Sequence, residues 1–224
     1  MPVPFSDRTA REPRVFSVAQ EAGNAVTHGL GAILSVVGLV ILVYNATRRG
    51  TAWHVVSFAI FGSSMIALYM SSTLYHAFRE PRIKRIFEIF DHATIFVLIA
   101  GSYTAFALTV LREGPGWWLF GAVWAIAAFG IVMEALFLNR WPLITLAAYL
   151  AMGWLIALVW RPFKESAPGP AVALLLAGGL CYSFGTVFYV LSRRWGWYHI
   201  AWHVFVLGGT ACHVFSALAL LPNV

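Results

Sequence analysis

Charged residues are scarce in this chain. Asp, Glu, Lys and Arg together make up 11% of its 224 residues, whereas a typical soluble domain contains about 25%. Hydrophobic residues make up 60% and aromatic residues 16%, and the mean hydropathy is +0.77. This balance argues against an ordinary soluble domain and indicates an integral membrane protein.

Cysteines are few, and the sequence shows no export signal. The two cysteines, Cys181 and Cys212, lie inside apolar runs and form no CxxC pair, which argues against a disulfide framework or a thiolate zinc site. The N-terminal stretch MPVPFSDRTAREPRVFSVAQEAGN has neither the apolar core nor the small-residue cleavage site of a secretory signal. Insertion is therefore expected to use internal helices as uncleaved signals.

The basic residues lie in short gaps between apolar runs, although the net charge is +6. That distribution is typical of loops that face anionic lipid headgroups. It provides no basic face on which nucleic acid could bind. The expected partners are therefore membrane lipids, including a lipid substrate, and not nucleic acid.

Seven apolar runs are long enough to cross a membrane as helices of about 20 residues. They are too long and too continuous for barrel strands, so the predicted fold is an all-α bundle of seven transmembrane helices. Residues 1–23 are predicted to form a cytoplasmic tail and lead-in, and residues 24–220 a single membrane domain. The predicted spans are approximately 24–46, 53–77, 87–111, 116–138, 141–160, 170–192 and 197–220.

The Lys and Arg residues divide unevenly between the two sides of this predicted bundle. Ten lie on the side of the N-terminus and five on the other side. Because cytoplasmic loops are enriched in Lys and Arg, the N-terminus is predicted to be cytoplasmic and the C-terminus outside. The expected location is the plasma membrane, which in a bacterium is the inner membrane.

Polar residues inside the predicted spans gather at the depth of the cytoplasmic leaflet, where ionisable groups are costly and usually functional. His199 and His203 are spaced i, i+4, so their rings share one helix face and could bind one metal ion. Because zinc takes three or four ligands, His76 from the second span is the natural third. Ser72 lies one turn before His76, and Asp91 opens the third span. Spacing leaves two roles open for Asp91: a fourth ligand, or a group that orients a bound water molecule.

Other polar residues receive plainer interpretations. One stripe of the first span carries Glu21, Asn24, His28 and Gly31. It is predicted to face neighbouring helices or the residues that surround the metal ligands, and Gly31 is expected to permit close helix approach. His28 and His92 are expected to hydrogen-bond between helices, and Glu134 to be a snorkelling or paired charge at a helix end. His213 shares the face of His199 but lies about 21 Å further along the helix, so it is expected to be structural. The GGTA segment before it is expected to pack closely.

Four segments together carry a resemblance to a known family: EAGNAVTHGLGAI, SSTLYHAF, FDHATIFVLIAGSYTAFAL and YHIAWHVFVLGGTACH. They resemble the signature segments of the hemolysin III family, the bacterial branch of the progestin and adipoQ receptor superfamily, which includes the adiponectin receptors. The similarity runs from about residue 17 to residue 220.

This resemblance implies a seven-helix bundle with a cytoplasmic N-terminus and a zinc ion near the cytoplasmic leaflet. The zinc-binding histidines of the family match His76, His199 and His203. The family serine matches Ser72, and the aspartate described as holding a zinc-bound water matches Asp91. The wider group of membrane hydrolases related to this family includes alkaline ceramidases, which implies hydrolysis of lipid amides or esters.

Three functions follow as hypotheses. The first is a zinc-dependent intramembrane hydrolase in which Asp91 acts as a general base and Ser72 donates a hydrogen bond to the developing oxyanion. The second is a regulator or sensor of membrane lipid state in which zinc is structural. The third is a pore-forming hemolysin, against which the missing export signal argues. A transporter is disfavoured because the sequence shows no paired broken helices.

Overall fold

The computed structural model describes residues 16–222, and the prediction for residues 1–15 lies outside this range. Within it, seven helical segments are long and apolar enough to cross a membrane, and the elements are helical, with no strand. The predicted fold class is therefore confirmed. The elements are α1 Val18–Arg49, α2 Ala52–Ala77, α3 Pro81–Ala107, α4 Gly116–Phe137, α5 Pro142–Gly153, a 3₁₀ segment Leu155–Val159, α6 Trp160–Ser166, α7 Gly169–Leu191 and α8 Tyr198–Leu218.

The helix starts are set by local capping chemistry. Ser17 caps α1 and forms a capping box with Gln20, so this helix begins at Val18, six residues before the predicted span. Glu80 caps α3 by accepting a hydrogen bond from the amide of Ile83, and Pro81 occupies the first helical position, where its missing N–H costs nothing. Most of the gap between the predicted second and third spans, residues 78–86, is therefore helical.

The fifth span is broken, where the sequence predicts one helix over residues 141–160. α5 ends at Gly153, and a 3₁₀ segment then leads into α6, which extends the span to Ser166. Tyr103 of α3 fills the break: its hydroxyl donates to the carbonyl of Gly153 at 2.7 Å and accepts from the amide of Ile156 at 2.8 Å. The bridge satisfies two backbone groups that the membrane interior could not hydrate.

The helices pack in a closed arrangement around α3. α8 contacts α7 and α1, α1 contacts α2, and α2 contacts α3, which also contacts α4, α5 and α8. Phe58, Phe61 and Met65 of α2 and Phe106 of α3 are fully buried in the core. By contrast α1 exposes a row of large apolar side chains to its outer side, as a lipid-facing helix does: Val26, Leu30, Ile33, Leu34 and Val37.

Small residues allow the closest approaches. A Cβ on Gly31 would lie 2.7 Å from both Leu207 and Tyr69, which confirms the close packing predicted there. In the GGTA segment the prediction holds for Gly209, whose Cβ would lie 2.9 Å from the ring of Tyr182, and not for Gly208, which faces open space. The starts of α1, α3, α5 and α8 and the ends of α2, α4 and α7 lie at one end of the bundle, called here the N-terminal face.

Candidate metal centre

Three buried histidines meet at the N-terminal face. His76 lies one residue from the end of α2, and His199 and His203 lie on the first turns of α8. One ligand nitrogen from each ring lies within 4.8 Å of the other two, and the ring centroids are 4.6 to 5.3 Å apart. The i, i+4 spacing places the two rings of α8 on one face, and the end of α2 brings the third to the same depth. This cluster, called here the histidine triad, could hold a metal ion.

The hydrogen bonding of His76 fits such an ion. Its Nε2 is buried and has no hydrogen-bond partner among the described residues, while its Nδ1 lies 2.6 Å from a carboxylate oxygen of Glu21. A buried polar atom without a partner is costly, and a metal ion is a partner of the right chemistry. Three imidazole nitrogens suit zinc and other first-row transition metals, whereas calcium and magnesium take oxygen ligands.

Side chains of α1 surround the triad from the outside. Glu21 bridges His76 and Lys84, whose Nζ lies 2.7 Å from the second carboxylate oxygen. The hydroxyl of Thr27 lies 3.1 Å from Nδ1 of His203, and the amide nitrogen of Asn24 lies 3.5 Å from Nδ1 of His76. The sequence places Glu21 and Asn24 on one stripe of α1, and the expected hydrogen bond of Asn24 to a neighbouring helix is confirmed by its contact with His76. The sequence gives no sign of Thr27 or of the ion pair with Lys84.

His28 differs from its expected role. Its ring stacks on that of His203, with centroids 3.5 Å apart and an interplanar angle of 14°, and its edge meets Tyr69. Both ring nitrogens are buried, and neither has a hydrogen-bond partner within the part of the chain that the structure describes. The predicted interhelical hydrogen bond is therefore wrong: packing of the two flat rings takes its place.

Ser72 and Asp91 lie beside the triad. Ser72 is fully buried one turn before His76, and its hydroxyl has no hydrogen-bond partner among residues 16–222. Asp91, on α3, is 8% exposed and lines the same cavity as Ser72 and His203. Its carboxylate is not part of the ligand group found in the described chain. Both roles left open for Asp91, a fourth ligand or a group that orients a bound water molecule, therefore stay predictions.

Two members of the triad, His199 and His203, line a cavity of about 130 Å³. Its polar end is lined by Ser72, Asp91 and His199, and it continues past apolar residues to Tyr103 and Trp154 at the break in the fifth span. A separate vestibule at the N-terminal face shares Asp91, His92 and His199 with this cavity. The arrangement gives the triad an apolar compartment on one side and a polar approach on the other.

A second buried polar cluster joins α3, α4 and α5. Nδ1 of His92 lies 3.2 Å from a carboxylate oxygen of Glu134, and the hydroxyl of Thr145 donates to the other oxygen at 2.9 Å. The expected interhelical hydrogen bond of His92 is confirmed. Of the two roles predicted for Glu134, the paired charge is confirmed. The snorkelling charge is wrong, because Glu134 is only 5% exposed. His213 is structural as predicted, since its Nε2 lies 3.3 Å from the carbonyl of Leu175 on α7.

Comparisons with known proteins match this architecture. A family model described as Haemolysin-III related covers residues 16–214. Hemolysin-3 of Bacillus cereus is 43% identical over 201 residues, which are 90% of this chain and 91% of that protein. A Hemolysin-3 homolog of Bacillus subtilis is 44% identical over 204 residues, 91% of this chain and 95% of that protein. The human monocyte to macrophage differentiation factor is 26% identical over 207 residues, 88% of this chain and 82% of that protein. The chain therefore belongs to the haemolysin-III related family of multi-pass membrane proteins.

Proposed function

We propose that this chain is a zinc-dependent intramembrane hydrolase that cleaves an amide or ester bond of a lipid. One observation carries the proposal: of three buried histidines that could hold a metal ion, two, His199 and His203, line a cavity that also presents a serine hydroxyl without a partner in the described structure and a carboxylate. A structural zinc site is normally closed by four protein ligands, whereas a catalytic site keeps a position open. Three histidines with no fourth ligand among residues 16–222 match the second pattern.

The side chains divide the chemistry among them. Zinc held by His76, His199 and His203 would polarise a substrate carbonyl and make a water molecule more acidic. Asp91 would accept the proton of the attacking water and pass it to the leaving group. The hydroxyl of Ser72, which has no partner in the described structure, would donate a hydrogen bond to the oxygen that gains charge in the transition state.

The surroundings favour a lipid as the substrate. Beyond Asp91 the cavity wall consists largely of apolar side chains, among them Leu98, Ile99 and Leu146. An acyl chain could occupy this part while its polar linkage reaches the triad. Because most of a ligand's surface is buried against apolar walls in such a site, a water-soluble amide or ester of similar reactivity should be a poor substrate.

Metal analysis of the purified protein is the first test. Wild-type chain should retain about one zinc per chain, and the double variant His199→Ala/His203→Ala should lose it. The Asp91→Ala variant should retain zinc, yet its cleavage of lipid amides and esters should fall by about 10²- to 10⁴-fold, the usual contribution of a general base. Unchanged zinc content in the double variant would contradict the proposed metal centre. Cleavage by the Asp91→Ala variant at the wild-type rate would contradict the proposed hydrolase activity.

A second candidate is a non-enzymatic regulator of membrane lipid state. The triad connects α2 to α8, and α1 is hydrogen-bonded to two of the three histidines. This arrangement favours the second candidate, because a structural ion bound by the triad would hold the three helices together. On this view the Asp91→Ala chain would complement a deletion strain as well as the wild type does. Two relatives carry the name hemolysin, and dye leakage from liposomes that contain the purified protein would instead favour a pore.

The proposal places the N-terminal face in the cytoplasm and the protein in the plasma membrane. Support comes from the basic residues at that face, which include Arg79, Arg82, Arg140, Arg193 and Arg194, because positive residues mark the cytoplasmic side. A phosphatase reporter that is active only outside the cytoplasm, fused after the last residue, should be active. Activity of the same reporter fused before the first residue would reverse the orientation.

A further inference from the structure

We infer that the first span, α1, positions the metal ligands by setting which nitrogen of two imidazoles carries the proton: Glu21 acts on His76, and Thr27 acts on His203. The inference deepens the proposed function and rests on the triad binding a metal ion. A neutral imidazole can coordinate a metal only through the nitrogen that lacks a proton, and the hydrogen bond made by the other nitrogen decides which one that is.

The contact of His76 with Glu21 has one reasonable assignment. An ionised carboxylate can only accept hydrogen bonds, so the 2.6 Å contact means that Nδ1 of His76 carries the proton and donates it. The ammonium group of Lys84 lies 2.7 Å from the other carboxylate oxygen, as in an ion pair. The remaining nitrogen, Nε2 of His76, then carries no proton and can offer its lone pair to a metal ion. It is the nitrogen that is buried without a partner in the described structure.

The amide of Asn24 does not alter this assignment. Its nitrogen lies 3.5 Å from the same Nδ1, at the outer limit of a hydrogen bond, whereas the carboxylate lies 0.9 Å closer. The contact with Glu21 is also charge-assisted, which makes it the stronger of the two.

The contact of His203 with Thr27 is assigned by counting protons. The hydroxyl of Thr27 has one hydrogen, and its oxygen lies 2.9 Å from two backbone carbonyls of its own helix, those of Gly23 and Asn24. Threonine hydroxyls inside helices commonly donate to such carbonyls, and we place the hydrogen there. On that placement the imidazole donates the third contact, 3.1 Å from Nδ1 of His203, to the hydroxyl oxygen. Nε2 of His203 is left unprotonated, as for His76.

Both ligands are thus held in one tautomer before any ion arrives. Partners of this kind raise the basicity of the ligand and fix the ring orientation, and their loss typically weakens metal binding by about 10- to 100-fold. The span that supplies them contributes no ligand itself, since the triad lies on α2 and α8.

The test measures zinc affinity of the full-length chain in detergent, by competition with a chromophoric chelator. Thr27→Val and Glu21→Gln should each weaken Zn²⁺ binding by about 10-fold or more, and Thr27→Ser, which restores a hydroxyl, should recover it. Thr73→Val is the matched control, because Thr73 also bonds a backbone carbonyl of its own helix, while within residues 16–222 no hydrogen bond joins its side chain to a histidine. Glu113→Gln controls for the lost charge, since the Glu113 side chain is 82% exposed.

Two further readouts separate positioning from a loss of structure. The thermal midpoint of the metal-free Thr27→Val protein should match that of metal-free Thr73→Val, so that the difference appears only when zinc is added. Wild-type affinity in Thr27→Val, or weak binding in both Thr27→Val and Thr27→Ser, overturns the inference while leaving the triad intact. A wild-type chain that binds no zinc overturns the metal centre and the inference together.

Discussion

Replacing Tyr103 with phenylalanine should destabilise the bundle by removing the two hydrogen bonds that the Tyr103 hydroxyl makes at the break in the fifth span. The substitution keeps the ring and removes the hydroxyl that joins the carbonyl of Gly153 to the amide of Ile156. Hydrogen bonds inside membrane proteins contribute about 0.6 kcal/mol on average, so two of them set a lower bound of about 1 kcal/mol. A buried backbone group left without a partner costs about 1–3 kcal/mol, which sets the upper end.

The expected loss in the free energy of unfolding is therefore about 1–3 kcal/mol, measured by SDS titration of the protein in mixed micelles. Tyr44→Phe is the matched control, because Tyr44 lies on the lipid-facing side of α1 and is 63% exposed. If Tyr103→Phe proves as stable as Tyr44→Phe, the reasoning fails. The amide of Ile156 and the carbonyl of Gly153 would then be closing on each other directly.

Three further predictions concern the metal, a glycine contact and the second polar cluster. Zinc added to metal-free protein at about 100 times its dissociation constant should stabilise the fold by about 2.7 kcal/mol, seen as a higher thermal midpoint; no rise would contradict binding to the folded state. Gly178→Ala should lower the free energy of unfolding by about 1–3 kcal/mol, because a Cβ there would lie 2.6 Å from Nε2 of His213. In Gly179→Ala the added Cβ would lie 3.7 Å from the ring of Trp154, so that variant should be neutral or slightly stabilised; equal stability of the two variants would refute the close contact. Glu134→Ala should cost about 1–3 kcal/mol by removing the buried carboxylate that bonds the half-buried His92 and Thr145. The exposed Glu165→Ala should stay within about 0.5 kcal/mol of wild type, and equal losses of the two in chemical denaturation would argue against this network.

The number of spans could be predicted because lipid imposes a length and a polarity on each one. The fifth span shows the limit of that argument. No proline interrupts the chain between Pro142 and Pro162, so nothing local announces the break at Gly153. The hydroxyl that makes the break tolerable belongs to Tyr103, fifty residues earlier, and only the packing of α3 against α5 brings it there.

The meeting of the three histidines could be predicted for a related reason. The i, i+4 spacing of His199 and His203 fixes their relative position within one helix, and membrane depth limits the candidates for a third ligand to a few residues such as His76. Depth does not give rotation about a helix axis, however. Whether His28 hydrogen-bonds or stacks, and whether Thr27 meets His203, depends on how α1 is turned toward α2 and α8, which no spacing within one helix encodes.

The placement of the triad has a consequence for how the protein is made. His76 is synthesised early, and His199 and His203 come from the final helix, more than half of the chain later. The site therefore does not exist until the last helix has left the ribosome and closed against α1. Any product that ends before α8 carries at most one of the three histidines, so an ion could be held by the complete triad only after the last helix has been made.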